Sequence, residues 1–284
     1  MTSVFVVGLG RMGKGIVKNL TKKGYAVLGY DVYPGAYRQL EGVPGFTPLR
    51  SLSEALTSDY VFLLLPTSRE LIPTLEQLSG AHGVVINMST IGLEDARVAA
   101  SKAPQRYLTA MIEGGPANAE AGTMTLYVGG SRDVYDASQQ VLKDMGTPIY
   151  LGTHEAATAM KLFSTAILLA NVAILAELSH ALSALGLDSD LVIKALSSGG
   201  ADSAQLRARL PIMLSRSYRD LFSAELGSYV LREAISAARS LSSPYSPLLS
   251  AVGELLEAAR SLGLGQHDVS ELAELYRALA TRKG

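Results

Sequence analysis

The chain has 284 residues, enough for two domains, because a single hydrophobic core usually stops growing near this size. Its 25 basic and 26 acidic residues nearly cancel, which excludes the positive field expected of a protein that binds nucleic acid or an anionic membrane. The absence of cysteine excludes disulfides and thiolate metal sites and is compatible with a reducing interior. With no targeting peptide visible, we expect a cytoplasmic protein.

The first predicted elements are a strand, a glycine-rich loop and a helix. The apolar run Val4–Val7 predicts a buried strand, and the loop follows it directly. In such a loop the first glycine makes a tight turn, the second lets a pyrophosphate approach the backbone, and the third lets the helix pack close to its strand. The start of the helix offers free N–H groups to phosphates. The predicted cofactor-binding residues here are Gly8, Leu9, Gly10, Arg11, Met12 and Gly13.

A second strand and an acidic residue follow at the expected distance. The run Tyr25–Tyr30 predicts the strand, and Asp31 ends it, within the roughly 20-residue offset of a ribose-binding carboxylate. A carboxylate accepts hydrogen bonds from both ribose hydroxyls and repels a 2′-phosphate. The sequence therefore favours NAD as cofactor. NADP stays possible, because Arg38 is close enough in sequence to reach a phosphate, although a solvated arginine is the alternative.

Strands and helices continue to alternate until about residue 155, where the strand signal stops. This pattern predicts an α/β fold, with a mostly parallel, doubly wound Rossmann sheet in residues 1–155. Residues 156–284 are predicted to form an all-helical domain for substrate binding and dimerisation. The later predicted strands are Tyr60–Leu65, Val84–Met88, Arg106–Met111, Thr125–Val128 and Pro148–Leu151.

One long helix is predicted over Ala156–Leu185, about 45 Å long at 1.5 Å per residue. Its longest apolar run, Thr165–Ala176, is too short to span a bilayer, so we expect no membrane partner. Apolar residues occupy most sides of the helix, which predicts burial against its own domain and a second subunit. We therefore expect a homodimer or homotetramer.

The order of these motifs resembles the β-hydroxyacid dehydrogenase family, which includes 3-hydroxyisobutyrate dehydrogenases, over nearly the whole chain. The glycine loop resembles the family's cofactor signature, and Gly114-Gly115 resembles its substrate motif. Lys161 and Asp268 fit its catalytic helix and its C-terminal region. The resemblance implies that two further loops contact the cofactor ribose and nicotinamide, through Leu65, Pro66, Thr67, Ser89 and Thr90.

Lys161 is the catalytic residue that the resemblance implies. In the family's mechanism a lysine hydrogen-bonds the substrate oxygen that gains or loses a proton as hydride moves to or from the nicotinamide. Oxidation of an alcohol requires a proton acceptor, and reduction of a carbonyl requires a donor in the same place. The alternative is a solvated helix lysine without a chemical role.

The chain departs from the family where the substrate should bind. Glu113 stands where the family usually has a serine that helps hold the substrate carboxylate, and an ionised Glu113 would repel that group. The alternatives are that Glu113 meets a substrate amine or hydroxyl, or that it points away toward a backbone N–H or an arginine. Thr165 replaces an asparagine and Tyr229 a lysine. The predicted substrate-binding residues are Glu113, Gly114, Gly115, Thr165 and Tyr229.

Together these observations predict an NAD(P)-dependent oxidoreductase with its active site between the two domains. Hydride moves between nicotinamide and a small 3-hydroxy acid or a related alcohol or aldehyde, and Lys161 handles the proton. Two alternatives stay open: imine-reductase-like C=N reduction, and a nucleotide-binding protein with little catalysis. No metal is expected, since the histidines lack ligand spacing. Arg207 and Arg209 fit either an anionic substrate or an exposed helix end.

Overall fold

The computed structural model describes residues 1–219 and 221–281. The chain forms two compact units, one of residues 1–161 and one that begins at Leu162. The division into residues 1–155 and 156–284 stays a prediction.

The first unit contains eight strands within the described residues, and they form one sheet. β1 consists mostly of buried apolar residues, as expected of a strand that is covered on both faces. The strands are β1 Ser3–Val7, β2 Ala26–Tyr30, β3 Phe46–Pro48, β4 Tyr60–Leu63, β5 Val84–Asn87, β6 Tyr107–Glu113, β7 Met124–Gly130 and β8 Gly146–Tyr150.

Helices alternate with the strands in the first unit and fill the second. Most of the helices have at their N-cap position either a glycine or a residue whose side chain accepts a hydrogen bond. Thr67 and Ser131, for example, accept from first-turn N–H groups of α2 and α5. The helices are α1 Arg11–Lys22, α2 Ser68–Gln77, α3 Leu93–Lys102, α4 Pro116–Ala121, α5 Arg132–Met145, α6 His154–Ala184, α7 Ser189–Ser197, α8 Ala204–Ser215, α9 Ala224–Ser240, α10 Pro247–Ser261 and α11 Leu272–Thr281.

The sheet has the strand order β3-β2-β1-β4-β5-β6-β7-β8. Its pairs are parallel except for β6 with β7, which run antiparallel. The strand order reverses beside β1, which places a topological switch point between β1 and β4. The predicted fold class, a doubly wound α/β sheet followed by helices, is confirmed.

Hydrophobic clusters cover both faces of the sheet. On one face, Val4 and Val6 of β1 belong to a cluster with Ile16 and Leu20 of α1. On the other face, Phe5 belongs to a cluster with residues of α2 and α3. Because consecutive strand residues point to opposite faces, β1 contributes to both cores and is buried.

The structure adds one strand that the sequence pattern did not predict. β3 is only three residues long, Phe46–Pro48, and pairs with β2 at the edge of the sheet. Proline is tolerated there because an edge strand does not need every N–H for a ladder. The remaining predicted strands are found, with ends that differ by one or two residues.

α6 is a single helix, as predicted, over His154–Ala184 rather than Ala156–Leu185. By length and composition it is apolar enough to cross a membrane, but half of its most apolar 18-residue window is buried inside the protein. An apolar core helix has this property too. Exposed apolar side chains also follow one side of α6, at Met160, Ile167, Ile174 and Leu178.

In the second unit, a buried ion pair joins distant segments. Arg209 of α8 binds the carboxylate of Asp268, and both side chains are buried. Arg209 also donates to Ser270 Oγ at 2.8 Å. Arg207, two residues earlier, is exposed and pairs with Asp202. The expectation of an exposed helix end therefore fits Arg207 but is wrong for Arg209.

Asp268 also accepts hydrogen bonds from the backbone. Its Oδ2 atom accepts from the N–H groups of Leu221 (3.2 Å) and Phe222 (2.8 Å), and Oδ1 accepts from Ser270 N–H at 2.9 Å. A carboxylate is stable in a buried place when charged and polar donors surround it. This residue therefore fastens α8, the segment before α9 and the turn before α11 to one another.

Candidate active site

The predicted cofactor residues lie at the carboxyl ends of the parallel strands, along one side of the sheet. Val7 pairs with Tyr30 on one side and with Leu63 on the other, so β1, β2 and β4 end together. Gly8 N–H donates to Tyr30 O at 2.9 Å, and Leu64 N–H donates to Val7 O at 2.8 Å. Ligands of open α/β sheets bind at this edge, beside the switch point.

Each glycine of the first loop is required for a different structural reason. Gly8 has φ +93°, and a Cβ there would lie 2.2 Å from Leu64 O. A Cβ on Gly13 would lie 2.0 Å from Gly8 O, so only glycine lets α1 start this close to the loop. A Cβ on Gly10 would meet no protein atom within 4 Å, and Gly10 is exposed. The open side of Gly10 is therefore where an anionic group can approach the backbone.

Other residues of this loop differ in exposure. Leu9 is fully buried in the core, so its contribution to a cofactor site is its backbone. Arg11 is exposed at the first position of α1, and Met12 packs partly buried against the core. The loop thus presents backbone and one cationic side chain at the edge of the sheet.

Asp31 is tied to the glycine loop. Its Oδ2 atom accepts from Leu9 N–H at 2.7 Å, and Oδ1 accepts from Tyr33 N–H at 2.8 Å. A carboxylate has about four lone-pair positions, so these bonds leave room for ribose hydroxyls. Arg38 lies exposed on the 3₁₀ turn Pro34–Leu40. The structure brings the acid and the loop together as the spacing predicted.

The loops after β4 and β5 are joined by Ser89. Its hydroxyl accepts from Leu65 N–H at 2.8 Å and lies 3.2 Å from Leu63 O, to which it donates. Ser89 is buried, so its hydroxyl fixes the two loops to each other. Beside it, Thr90 is half-buried. Pro66 is exposed, and Thr67 caps α2.

Glu113 and Lys161 form an ion pair at the end of β6. Lys161 Nζ lies 3.3 Å from Glu113 Oε1, and the two side chains are 17% and 22% exposed, respectively. Glu113 is held by pairing with Thr125 of β7, and Lys161 lies in the third turn of α6. The carboxylate thus faces the predicted catalytic lysine, a partner that the sequence did not indicate.

The double glycine after Glu113 is shaped by Asn118. Gly114 has φ +123°, and a Cβ there would lie 3.0 Å from Asn118 Cβ. Gly115 N–H donates to Asn118 Oδ1 at 3.0 Å, while Asn118 Nδ2 donates to Thr123 Oγ1 at 3.2 Å. Sequence reasoning missed Asn118, although an amide three residues after a glycine-proline helix start is a capping signal. The Gly115 donor is thereby already engaged.

Polar residues recur along one side of α6. His154, Thr158, Lys161 and Thr165 are spaced by four, three and four residues, which places them on one face of a helix. Thr158 and Thr165 are buried, and neither hydroxyl has a hydrogen-bond partner among the described residues. Lys161 therefore has a buried hydroxyl one turn away on each side. Tyr229 lies half-buried on α9 of the second unit.

His154 belongs to a buried polar cluster with β5 and β6. Its Nδ1 atom lies 3.1 Å from Thr109 Oγ1, and its ring lies 5.0 Å from the ring of Tyr107. Burial raises the pKa of Tyr107 to about 12, so the phenol stays neutral at physiological pH. Burial also lowers the pKa of His154 below its usual 6.5 and exceeds the opposite effect of Glu155.

We expect the cluster to make stability depend on pH below neutrality. A histidine with a depressed folded-state pKa binds fewer protons folded than unfolded, so stability is full above pH 6.5 and falls as the pH is lowered. His154→Gln keeps a hydrogen-bonding group without this titration. Its melting temperature should fall less between pH 7.5 and 5.5 than that of the wild type, measured by circular dichroism. Equal falls would show that His154 contributes nothing.

No group of three or more histidine, aspartate or glutamate side chains in the described residues is placed to hold a metal ion.

Family models match both parts of the chain. Residues 3–154 match the NAD-binding domain of 6-phosphogluconate dehydrogenase. Residues 156–276 match the NAD-binding domain of NADP-dependent 3-hydroxyisobutyrate dehydrogenase.

Curated relatives match over nearly the full length. A 2-(hydroxymethyl)glutarate dehydrogenase of Eubacterium barkeri is 28% identical, with 95% of this chain and 93% of the relative covered. The human mitochondrial 3-hydroxyisobutyrate dehydrogenase is 28% identical, with coverage of 97% and 87%. The 3-sulfolactaldehyde reductase of Escherichia coli K12 is 28% identical, with coverage of 99% and 97%.

Solved structures share the fold. A Mycobacterium tuberculosis 3-hydroxyisobutyrate dehydrogenase with L-serine superposes with a TM-score of 0.86 at 24% identity, covering 98% of this chain and 99% of that one. An imine reductase from Pseudomonas sp. gives a TM-score of 0.61 at 21% identity, covering 96% and 98%.

These matches agree with the order of motifs along the chain and with the geometry of the glycine loop. They identify an NAD(P)-dependent oxidoreductase that acts on CH–OH groups and takes a small-molecule substrate. The chain belongs to the β-hydroxyacid dehydrogenase family.

Proposed function

We propose that Lys161 is the proton donor and acceptor for hydride transfer to or from a small 3-hydroxy acid or a related alcohol or aldehyde. The observation that carries the proposal is the position of its ammonium group. It lies 3.3 Å from Glu113 Oε1 at the end of β6 and is largely buried, on the side of α6 that carries Thr158 and Thr165. Lysine is almost never buried unless it is paired, and Glu113 supplies the partner here.

The proton step follows from this geometry. In alcohol oxidation, Lys161 would accept the hydroxyl proton of the substrate as the carbonyl forms. In the reverse direction, the ammonium group of Lys161 protonates the oxygen that receives the electron pair. The buried hydroxyls of Thr158 and Thr165 flank Lys161 on α6 and are proposed to orient it or the substrate.

For the cofactor we propose a preference for NAD. When bound, nicotinamide supplies the hydride chemistry. Backbone around Gly10 receives the pyrophosphate, as the open space at its α-carbon allows. Asp31, held by Leu9 N–H, is proposed to accept hydrogen bonds from the ribose hydroxyls and to disfavour a 2′-phosphate. The loops at Leu65–Thr67 and Ser89–Thr90 are proposed to border the nicotinamide end.

We further propose a cytoplasmic homodimer or homotetramer that associates through α6. The exposed apolar side chains of Met160, Ile167, Ile174 and Leu178 are spaced by seven, seven and four residues, which forms a stripe on one helix face. A contiguous apolar stripe of this kind is typical of a subunit interface. Sedimentation of the purified protein measures the number of subunits.

The Lys161 proposal is tested by reduced-nicotinamide absorbance. Wild-type protein and Lys161→Met are offered NAD or NADP with 3-hydroxy acids, amino alcohols and polyols, and then reduced cofactor with aldehydes and cyclic imines. We expect kcat for alcohols to fall about 10²- to 10⁴-fold in the variant, the usual contribution of a positioned acid or base. Lys143→Met, on the exposed side of α5, is the control and should keep full activity.

Alcohol turnover that survives in Lys161→Met would contradict the assigned role. Turnover of imines alone, independent of Lys161, would instead support the C=N reductase alternative, and cofactor binding without any turnover would support a nucleotide-binding protein.

A further inference from the structure

We propose that Glu113 determines specificity among the substrate classes proposed above: the site favours alcohols that carry a hydrogen-bond donor, a hydroxyl or an ammonium group, over a 3-hydroxy acid with its carboxylate at the same position. This inference rests on the proposed role of Lys161, because it assumes that the substrate reaches the Lys161 side chain.

The negative charge of Glu113 opposes an anionic substrate. An isolated lysine at the end of β6 would attract an anion, but Lys161 is already paired with Glu113 at 3.3 Å. The side chains are 17% and 22% exposed, respectively, so solvent screens the carboxylate only in part. A substrate carboxylate that approaches Lys161 therefore also approaches a like charge, which opposes its binding.

One backbone donor at this turn is already engaged. An anion would use the N–H groups of the double glycine, and that of Gly115 already donates to Asn118 Oδ1 at 3.0 Å. Asn118 is fixed at its other end by the bond to Thr123 Oγ1 at 3.2 Å. Displacement of this amide would leave polar groups unpaired, which costs free energy. An anion that used Gly115 N–H would therefore have to displace Asn118.

Glu113 has acceptor capacity beyond its bond to Lys161. Oε1 contacts Lys161, and a carboxylate offers about four lone-pair positions in total. Pairing of Glu113 with Thr125 in the sheet fixes the backbone from which the side chain projects. A substrate hydroxyl or ammonium group can donate to this carboxylate without displacing Lys161. Charge and hydrogen bonding therefore select the same class of substrate.

Three probes with one carbon skeleton separate the classes: 3-hydroxypropanoate, 1,3-propanediol and 3-aminopropan-1-ol carry a carboxylate, a hydroxyl and an ammonium group at the same distance from the reacting alcohol. The kcat/KM of each with NAD is measured for wild type, Glu113→Gln and Glu113→Ser. Glu120→Gln is the control, since it removes an equal charge from an exposed pair with Lys18.

We expect the wild type to favour the diol and the amino alcohol over the hydroxy acid by about tenfold or more, the range that single contacts give to specificity. Both Glu113 variants should raise the relative kcat/KM of the hydroxy acid by a similar factor, and Glu120→Gln should not. Melting temperatures show whether each variant is folded, and Glu113→Ser gives a second result if Glu113→Gln folds poorly.

A wild-type preference for 3-hydroxypropanoate, or equal probe ratios in wild type and folded Glu113 variants, would overturn the proposal. Absence of measurable turnover of the diol and the amino alcohol by the wild type with NAD would overturn it as well. Failure of the Lys161 assignment gives a different result, in which Lys161→Met turns over the probes as fast as the wild type.

Discussion

Asp268→Leu is expected to destabilise the protein by about 3–5 kcal/mol, the usual cost of removing one partner from a buried ion pair. The substitution leaves Arg209 buried without its anion and removes the Asp268 acceptor of the Phe222 and Ser270 N–H groups, while Leu221 N–H keeps its bond to Arg219 O. This loss is a large fraction of the roughly 5–15 kcal/mol that stabilises a folded protein. Urea unfolding followed by circular dichroism measures it.

Removal of the other partner, Arg209, should lower the free energy of unfolding by less. Arg209→Met leaves the Asp268 carboxylate with three backbone donors, so about 1–3 kcal/mol is expected. Arg207→Met makes the same chemical change two residues earlier in α8, at an exposed pair with Asp202, and should cost no more than about 0.5 kcal/mol. If Asp268→Leu and Arg207→Met gave the same free energy of unfolding, the ion pair would not stabilise this unit.

Gly13→Ala is expected to abolish measurable cofactor binding and to lower the free energy of unfolding by about 2 kcal/mol or more, because overpacking of this kind forces backbone shifts. The new Cβ would lie 2.0 Å from Gly8 O, which belongs to the backbone and cannot rotate away. α1 must therefore move away from the loop, and its N-terminal N–H groups move with it. Titration with NADH and thermal unfolding measure the two effects.

Gly10→Ala separates the two effects. Its Cβ would meet no protein atom within 4 Å, and its φ of −67° is open to any residue, so the melting temperature should not change. The methyl group occupies the space through which we expect the pyrophosphate to approach. NADH affinity should therefore fall about tenfold, equivalent to about 1.4 kcal/mol. Unchanged affinity in Gly10→Ala would place the pyrophosphate elsewhere.

The first unit was predictable because its signals are local. The glycine loop follows a continuous apolar strand, and Asp31 ends the next strand, so a few adjacent residues define each element. β3 was not predicted because three residues that end in Pro48 are too few to show the alternation of a strand. The antiparallel direction of β7 is indicated by its connection to β6, which is too short for an ordinary parallel crossover.

The site was less predictable because its partners are distant in sequence. Glu113 and Lys161 are 48 residues apart, and Arg209 and Asp268 are 59 apart. Periodicity identifies the face of a helix that is buried, but it does not identify which charge lies opposite. The sequence therefore suggested a substrate, a backbone N–H or an arginine as the partner of Glu113, and either an anionic substrate or an exposed helix end for Arg209.

The continuity of α6 has a consequence for any attempt to divide this protein into fragments. The first compact unit ends at Lys161, and α6 runs through that point without interruption from His154 to Ala184. A cut there would break the i→i+4 hydrogen bonds of a helix and leave the carbonyl groups of its last turn without partners. A fragment that stops at residue 155 would lack Lys161 altogether. A fragment that ends at residue 161 would keep Lys161, but only as the last residue of a cut helix. Neither fragment would therefore present the proposed proton donor on an intact helix.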